Sequence, residues 1–168
     1  MMTSAALRAW AEDSAEGKTS LLVASDNATV ADLNARAQAM RQATGELDPH
    51  GRHAVLADHA HAWTGDVVVT RKNDRRLTVN NGRDFVKNGD TWTVQKVHRD
   101  GSAVLRHQHH GGQLTMSPSY LAEHTQLGYA ASIHRAQGAT VDTAHAILDE
   151  RTDRPAAYVA TSRGRESN

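Results

Sequence analysis

The spacing of hydrophobic and polar positions changes twice along the chain. A short apolar run at residues 21–25 predicts a buried strand, and an Ala-rich segment before it, residues 4–12, predicts a helix. After the run, apolar residues recur at helical spacing: Val30, Leu33, Ala37, Met40. Asp26 or Asn27 is expected to cap this second helix, which should end near Gly45. Strand, capped helix and glycine form half of a βαβ unit.

The middle of the chain has a different pattern. Short strand signals at residues 66–70, 90–97 and 102–106 are separated by turn signals at Asn80–Gly82, Asn88–Asp90 and Arg99–Gly101. Several short strands at this spacing predict a small β-barrel of roughly 60 residues.

From residue 127 onward the α/β pattern returns. It predicts a strand at residues 129–133, a helix-like turn after Gly138, and further strands at residues 144–148 and 158–160. An α/β unit is therefore expected to be interrupted by a barrel and then resumed.

The composition agrees with an α/β layer and narrows the cellular setting. The chain has 168 residues, only 4% aromatic residues, a single phenylalanine and no cysteine. Disulfides and thiolate zinc sites are thereby excluded, which suits a reducing compartment. No apolar run approaches the ~20 residues that span a bilayer. The N-terminus also lacks the pattern of a secretory signal. We therefore expect a cytoplasmic protein without a membrane partner.

The charge of the chain indicates nucleic-acid binding only in one local segment. Lys plus Arg and Asp plus Glu number 19 each, so the formal net charge is zero. Between Trp63 and Arg99, however, eight Lys or Arg face four Asp, a net charge of +4. The cationic residues that bunch together there are Arg71, Lys72, Arg75 and Arg76. Such a bunch is often just a solvated face, but it can also contact phosphates.

Two segments near the C-terminus carry candidate chemistry. His134–Gly138 (HRAQG) joins two cationic or titratable side chains to an amide and a flexible glycine. Thr161–Arg165 (TSRGR) follows an apolar run and holds two arginines. Amides, backbone N–H groups and arginine forks of this kind suit a phosphate site.

These segments resemble motifs V and VI of superfamily 1 DNA helicases, in the RecD-like and conjugative relaxase-helicase (MobF, TrwC/TraA-type) form. The stretches 65–73 and 86–90 resemble parts of the SH3-like insertion of the same family. The resemblance implies an α/β fold: a RecA-like (P-loop NTPase-type) parallel-sheet domain that lacks its own P-loop and is interrupted by an inserted SH3-like β-barrel. The implied domains are residues 1–52, the barrel at 53–124, and the remainder at 125–168.

The resemblance also implies roles for particular residues. Arg163 corresponds to the arginine finger, and Gln137, Gly138 and Arg165 to the nucleotide cleft. His134 and Arg135 are expected to contact single-stranded DNA. The basic cluster supplies further expected DNA contacts: Arg71, Lys72 and Asn73. ATP and Mg²⁺ are expected only with the first RecA-like domain, in cis or in trans, so this chain alone should be inactive as an ATPase.

Some positions depart from the helicase pattern. UvrD-type members have Glu where this chain has Thr140, and a nucleotide-contacting Arg where it has Ala31. Asn27 and Asn34, in the region that resembles motif IV, are interpreted as a helix cap and a surface polar residue.

Two further segments imitate nucleotide-binding motifs. Gly17–Thr19 resembles the end of a P-loop, but the position of the first P-loop glycine is Glu12, and a helix precedes while a strand follows. Asp149 and Glu150 resemble a Walker B ending and are interpreted as a solvated strand end. Neither segment predicts a nucleotide site.

Two alternatives remain open. One is a non-enzymatic DNA- or protein-binding module derived from a helicase domain. The other is a metal site built from the histidines at 59, 61, 107, 109 and 110. Structural zinc without cysteine would need four histidine or carboxylate ligands, so a His-rich hairpin tip is preferred and no metal is expected. Trp63 and Trp92 could stack on bases, although tryptophan in a barrel strand is more often core.

Overall fold

The structure, a computed structural model, describes residues 2–18, 20–136, 141–147 and 164–167. The chain divides into two compact units. One, called here the parallel-sheet unit, comprises Met1–Ala39 and Tyr129–Asn168. The other, the antiparallel unit, comprises Met40–Gly128. The domain boundaries expected after residues 52 and 124 stay predictions.

In the described residues, helices and short strands are joined by mostly short connections. The α-helices are α1 (Met2–Ala15), α2 (Asn27–Ala43), α3 (Pro118–His124) and α4 (Ile133–Ala136). The strands are β1 (Ser20–Ala24), β2 (His53–Val55), β3 (His61–Trp63), β4 (Val67–Thr70), β5 (Asp74–Val79), β6 (Asp84–Val86), β7 (Thr91–Val97), β8 (Ala103–His107), β9 (Gln113–Met116), β10 (Thr125–Leu127), β11 (Ala130–Ser132), β12 (Val141–Ile147) and β13 (Gly164–Ser167). A 3₁₀ helix at Ala57–His59 separates β2 from β3.

The parallel-sheet unit is built around β1. Its strands lie in the order β11, β1, β12, β13, and each described pairing is parallel. Leu22, Val23 and Ala24 of β1 are completely buried, as expected for a strand covered on both faces. Helix α1 buries Trp10, whose ring meets Tyr129 edge-on at 5.5 Å. Four parallel strands are not enough to identify a RecA-like domain, so that assignment stays a prediction.

Helix α2 begins as the sequence predicts. The Oδ1 atom of Asp26 accepts a hydrogen bond from the Thr29 backbone N–H at 2.7 Å, which satisfies a donor of the first turn. Asn34, in contrast, is not a surface residue. It is buried, and its Oδ1 accepts from the Ala130 N–H at 2.8 Å, across 96 residues of sequence. In the described residues β11 is an edge strand, and β1 is its one neighbour in the sheet. Asn34 therefore accepts a hydrogen bond from an N–H of β11 that no strand pairs with.

The HRAQG segment folds differently from the prediction. Its helix lies before Gly138: β11 ends at Ser132, and α4 covers Ile133–Ala136. The chain is again extended from Val141, three residues earlier than expected. Because Val141 and Thr143 are β-branched, they favour a strand. The helix-like turn predicted directly after Gly138 falls at residues 139–140, which lie outside the described residues. The strand expected at residues 158–160 lies outside the described residues.

The antiparallel unit contains the strands expected for the insertion. Its main sheet has the order β10, β4, β7, β8, β9, and neighbouring strands are antiparallel. Within Met40–Gly128 no ladder joins β9 to β10, so the sheet is not a completely closed barrel. Two ribbons, β2–β3 and β5–β6, complete the unit. The turn between β5 and β6 is the predicted one, since Asn80, Asn81 and Gly82 all have positive φ.

Trp92 lies at the centre of this unit. It is completely buried, which confirms its interpretation as a core residue. Its indole N–H donates to Thr70 Oγ1 at 3.1 Å. Buried Val68, Leu105 and Met116 belong to the same core. Trp92 therefore fills the core with its ring, while Thr70 satisfies its one hydrogen-bond donor.

Candidate nucleic-acid interface

The residues expected to form the nucleotide cleft are described only in part. Gln137, Gly138 and Arg163 lie outside the described residues. Arg165 lies in β13, whose backbone pairs in parallel with β12. Their roles at a nucleotide stay predictions.

His134 and Arg135 lie on α4 and are exposed to solvent. The Arg135 backbone N–H donates to Ser132 Oγ at 3.4 Å. Ile133 and Ala136 on the same helix are buried in a cluster with Leu21 and Val23. The short helix is thus anchored by its apolar residues and leaves both polar residues facing solvent.

Arg71, Lys72 and Asn73 form the connection between β4 and β5. The backbone N–H of Arg71 donates to the His124 carbonyl at 2.7 Å, and the Lys72 carbonyl accepts from the Tyr120 hydroxyl. Burial raises the pKa of Tyr120, so this hydroxyl remains a donor at neutral pH. The backbone is therefore fixed, while the Lys72 side chain is exposed.

Asn73 has a structural partner that the sequence did not reveal. Its Oδ1 accepts from the Asn88 backbone N–H at 2.7 Å, and so joins the β4–β5 connection to the turn at residues 87–90. The role predicted for Asn73, a DNA contact, is untested. The observed role of its amide oxygen is to hold two loops together.

Asp90 organises the turn at residues 87–90. Its carboxylate accepts from the Lys87 backbone N–H at 3.1 Å and lies 3.4 Å from His107 Nε2. Burial raises the pKa of Asp90, but hydrogen bonds from His107 and the Lys87 backbone outweigh this effect, and the pKa is lowered overall. Thr70 braces the same turn, because its Oγ1 donates to the Lys87 carbonyl at 2.8 Å. Lys87 thus projects from a rigid support.

The ribbon β5–β6 is strongly basic. From Arg71 to Lys87 six Lys or Arg face two Asp, a net charge of +4. Both acids are paired: Asp74 lies 3.2 Å from Arg76, and Asp84 lies 3.1 Å from Lys87. These hydrogen bonds lower the pKa of each carboxyl, so both remain ionised at neutral pH. The ribbon still carries more positive than negative charge.

Phe85 lies within this basic ribbon and was not selected from the sequence. The Arg75 guanidinium lies 4.7 Å from the centroid of its ring, and the Lys87 Nζ lies 5.1 Å from it. Phe85 is half-buried and Arg75 is exposed. One signal could have drawn attention to it, since the only phenylalanine of the chain occurs in its most basic segment. Cations around an aromatic ring are suited to a ligand with phosphates and flat bases.

The histidines of the β8–β9 turn serve the turn itself. His107 is buried, and its Nδ1 accepts from the backbone N–H groups of His109 and His110 at 3.1 and 3.3 Å. The His110 ring stacks on the His107 ring at 3.7 Å. In the described part of the chain, no group of three or more His, Asp or Glu is placed to hold a metal ion.

Comparison with known proteins relates the chain to an SH3-like barrel family and to conjugal transfer proteins. Residues 54–126 match the family model of the Rv2311 SH3-like barrel domain. Protein Rv2311 of Mycobacterium tuberculosis is 38% identical over 86 residues, which are 51% of this chain and 49% of Rv2311. The probable conjugal transfer protein TraA of Sinorhizobium fredii is 31% identical over 159 residues, covering 94% of this chain.

Solved structures agree on the fold. The Pif1 helicase from Bacteroides, solved with ADP-AlF3 and single-stranded DNA, superposes with a TM-score of 0.63 over 87% of this chain at 17% identity. The matched part is 38% of that Pif1 chain. The chain spans about half the length of Rv2311 and 14% of TraA. The basic ribbon and the turn at 87–90 both lie within the stretch that matches the barrel family.

No described helix has the length and apolar character needed to cross a membrane.

Proposed function

We propose that this chain supplies the second motor domain of an ATP-dependent translocase on single-stranded DNA, of the conjugative relaxase-helicase type. The observation that carries the proposal is the similarity to TraA, which extends over 94% of the chain and so includes both compact units. The Pif1-like fold and the single-stranded DNA in that helicase structure support it. Cytoplasmic location belongs to the same proposal.

Each unit has its own role in this proposal. In the parallel-sheet unit, Arg163 acts as the arginine finger, and Gln137, Gly138 and Arg165 belong to the nucleotide cleft. A guanidinium fork carries fixed charge and stabilises the negative charge that develops during phosphoryl transfer. His134 and Arg135, exposed on α4, contact the DNA strand. In the antiparallel unit, Arg71 and Lys72 contact its phosphates, and Asn73 holds their loop.

The chain alone is proposed to be silent as an ATPase. Around Gly17 a helix leads into a strand, which is the reverse of a P-loop, and Lys18 lies 3.5 Å from Glu16. ATP and Mg²⁺ therefore bind only when a P-loop domain is joined in cis or supplied in trans. ATPase activity of the purified 168-residue chain that disappears in Lys18→Ala would contradict this.

The decisive experiment places the chain in a complete motor. We expect Arg163→Ala, in a protein that also carries the P-loop helicase domain of a TraA-type protein, to lower DNA-stimulated ATPase activity by roughly 10³-fold or more. Binding of single-stranded DNA should remain, since the finger contacts nucleotide rather than DNA. Arg154→Ala, an arginine outside the TSRGR segment, is the matched control and should keep its activity. Full turnover in Arg163→Ala would refute the finger assignment.

The second candidate is a non-enzymatic DNA- or protein-binding module. It is favoured by the similarity to Rv2311, of which the matched segment forms 49%. This candidate predicts that adding a P-loop domain yields no DNA-stimulated ATPase activity, whereas the motor predicts that it does. The same assay therefore separates the two candidates.

A further inference from the structure

The Phe85 ring on the β5–β6 ribbon is surrounded by cations. It lies outside the fully buried core of its unit. Phe85 is half-buried, whereas its neighbour in sequence, Val86, is completely buried. The alternation assigns Val86 to the covered face of the ribbon and Phe85 to the opposite face. Thr78, its partner across the ribbon, is exposed as well.

A ligand can displace the Arg75 and Lys87 side chains from the face of the Phe85 ring. Arg75 is exposed, and the Lys87 side chain is 46% exposed, so both lie at the solvent boundary. Cation–ring contacts at exposed sites contribute only about 0.5–1 kcal/mol, and long side chains can move away from the ring at little cost. When they move, they uncover an aromatic surface and keep positive charge at its rim.

The supports beneath this site are firm. Lys87 begins the turn that Asp90 and Thr70 hold through hydrogen bonds to the Lys87 backbone. At the other end of the ribbon, the positive φ angles of Asn80 and Gly82 define a tight turn. The ring is therefore presented on a structured ribbon, and little ordering accompanies the binding of a ligand.

We propose that Phe85 is a stacking position for an unpaired base of single-stranded DNA, with Arg75 and Lys87 contacting the phosphates on either side of that base. The inference rests on the proposed function and adds to it the element that selects single strands. A base has a free face only when it is out of a duplex, so stacking on Phe85 discriminates against double-stranded DNA. The lysine and arginine contacts alone would serve both forms.

The test separates stacking from charge. Binding of the full chain is measured for oligo-dT, for an abasic strand of the same length, and for a duplex, each at several salt concentrations. Phe85→Leu removes the aromatic face and keeps an apolar side chain, while Phe85→Trp keeps the face. Arg76→Gln is the matched charge control, since it removes one positive charge from the same ribbon and leaves the Phe85 ring in place. Circular dichroism and thermal unfolding verify that each variant is folded.

We expect Phe85→Leu to weaken oligo-dT binding about tenfold, in the range of one base–aromatic stack, with an unchanged salt slope. Its binding to the abasic strand and to the duplex should equal that of the parent chain. Phe85→Trp should retain oligo-dT affinity, and its added indole fluorescence should be quenched on binding. Arg76→Gln should instead weaken all three probes together and reduce the salt slope.

Unchanged oligo-dT affinity in a folded Phe85→Leu variant would overturn the inference and leave the proposed function standing. The same holds for an equal loss on the abasic strand, because the ring would then act only by supporting the cations. Should the parent chain bind none of the probes, the DNA contacts of the proposed function fail, and this inference fails with them.

Discussion

The two compact units are assembled from contacts of very different sequence range. In the antiparallel unit, β7, β8 and β9 follow one another along the chain and pair as hairpins. In the parallel-sheet unit, the central strand β1 pairs with β11 and β12, which follow only after the whole antiparallel unit. Local pairing closes short loops at low entropic cost, whereas distant parallel pairing must order a long stretch of chain first.

The two units also differ in the polar hydrogen bonds of their interiors. The antiparallel unit encloses a network in which Asp90, Thr70 and His107 support the turns that carry basic residues. In the described residues of the parallel-sheet unit the centre is apolar, and the buried Asn34 side chain bonds to Ala130 across the two sequence segments. Half-buried Asp13 and His145 join the same two segments at 2.6 Å. A network on local turns positions a binding surface, while one bond across 96 residues helps to fix how distant segments pair.

The largest expected effect comes from the centre of the antiparallel unit. Trp92→Ala removes a completely buried indole and leaves Thr70 Oγ1 without its donor. We expect a loss of about 3–5 kcal/mol in the free energy of unfolding, measured by urea denaturation. Hydrogen exchange should increase mainly at amides of β4, β7 and β8. Trp63→Ala, at a partly buried indole of the same unit, is the control and should cost less; equal losses would contradict the central role of Trp92.

Asn34→Ala tests the buried side-chain bond to Ala130 in the other unit. It leaves the Ala130 N–H buried without its acceptor, which should cost roughly 1–3 kcal/mol. The increase in hydrogen exchange should be concentrated in β1 and β11, the reverse of the Trp92 pattern. Asn27→Ala, at the exposed start of the same helix, provides the comparison and should change stability little. If exchange instead increased equally in both units, the contrast between them would be wrong.

The smallest effect is a pH dependence at the β8–β9 turn. Burial lowers the pKa of His110, with a further contribution from the charge of His107. Its Nδ1 accepts from the Gly112 N–H at 3.0 Å and can do so only while it is unprotonated. A histidine with a lowered pKa gives stability that is complete above its unfolded value of about 6.5 and is lost as the pH falls through the folded value.

We therefore expect exchange of the Gly112 amide to speed up below about pH 6.5, by a factor of a few beyond the intrinsic pH effect. His110→Gln should remove the dependence. Amides of β1, in the other unit, serve as the internal reference. A parallel change there would point to global rather than local opening.

Much of the architecture could be predicted because local chemistry decides it. The Asp26 cap, the Asn80–Gly82 turn and the burial of Trp92 all follow from the residue types and their spacing. The errors occurred where a distant partner decides the outcome. The extended chain at residues 141–143 has distant partners, since Val141 pairs with Gly164 of β13 and Thr143 with Ser20 of β1. Asn34 is buried where Ala130 needs an acceptor.

The candidate interface shows the same division. The basic segment is visible in the sequence, and so are Arg71 and Lys72. The position of Phe85 beneath Arg75 and Lys87 is not, because the register between β5 and β6 shifts between Asp74 and Thr78. Such an irregularity changes which side chains share a face, and spacing alone does not reveal it.

By itself, the sequence determined the order of the three segments, which is α/β, then short β-strands, then α/β again. It also determined the local positive charge of the ribbon. These features depend on neighbours within a few positions, for which backbone preference and side-chain period suffice. Tertiary structure alone decided which distant groups meet: Asn34 with Ala130, Asn73 with Asn88, and Asp90 with His107. The bond to Asn34 satisfies the buried Ala130 N–H, and the need for that acceptor arises only once the chain has folded.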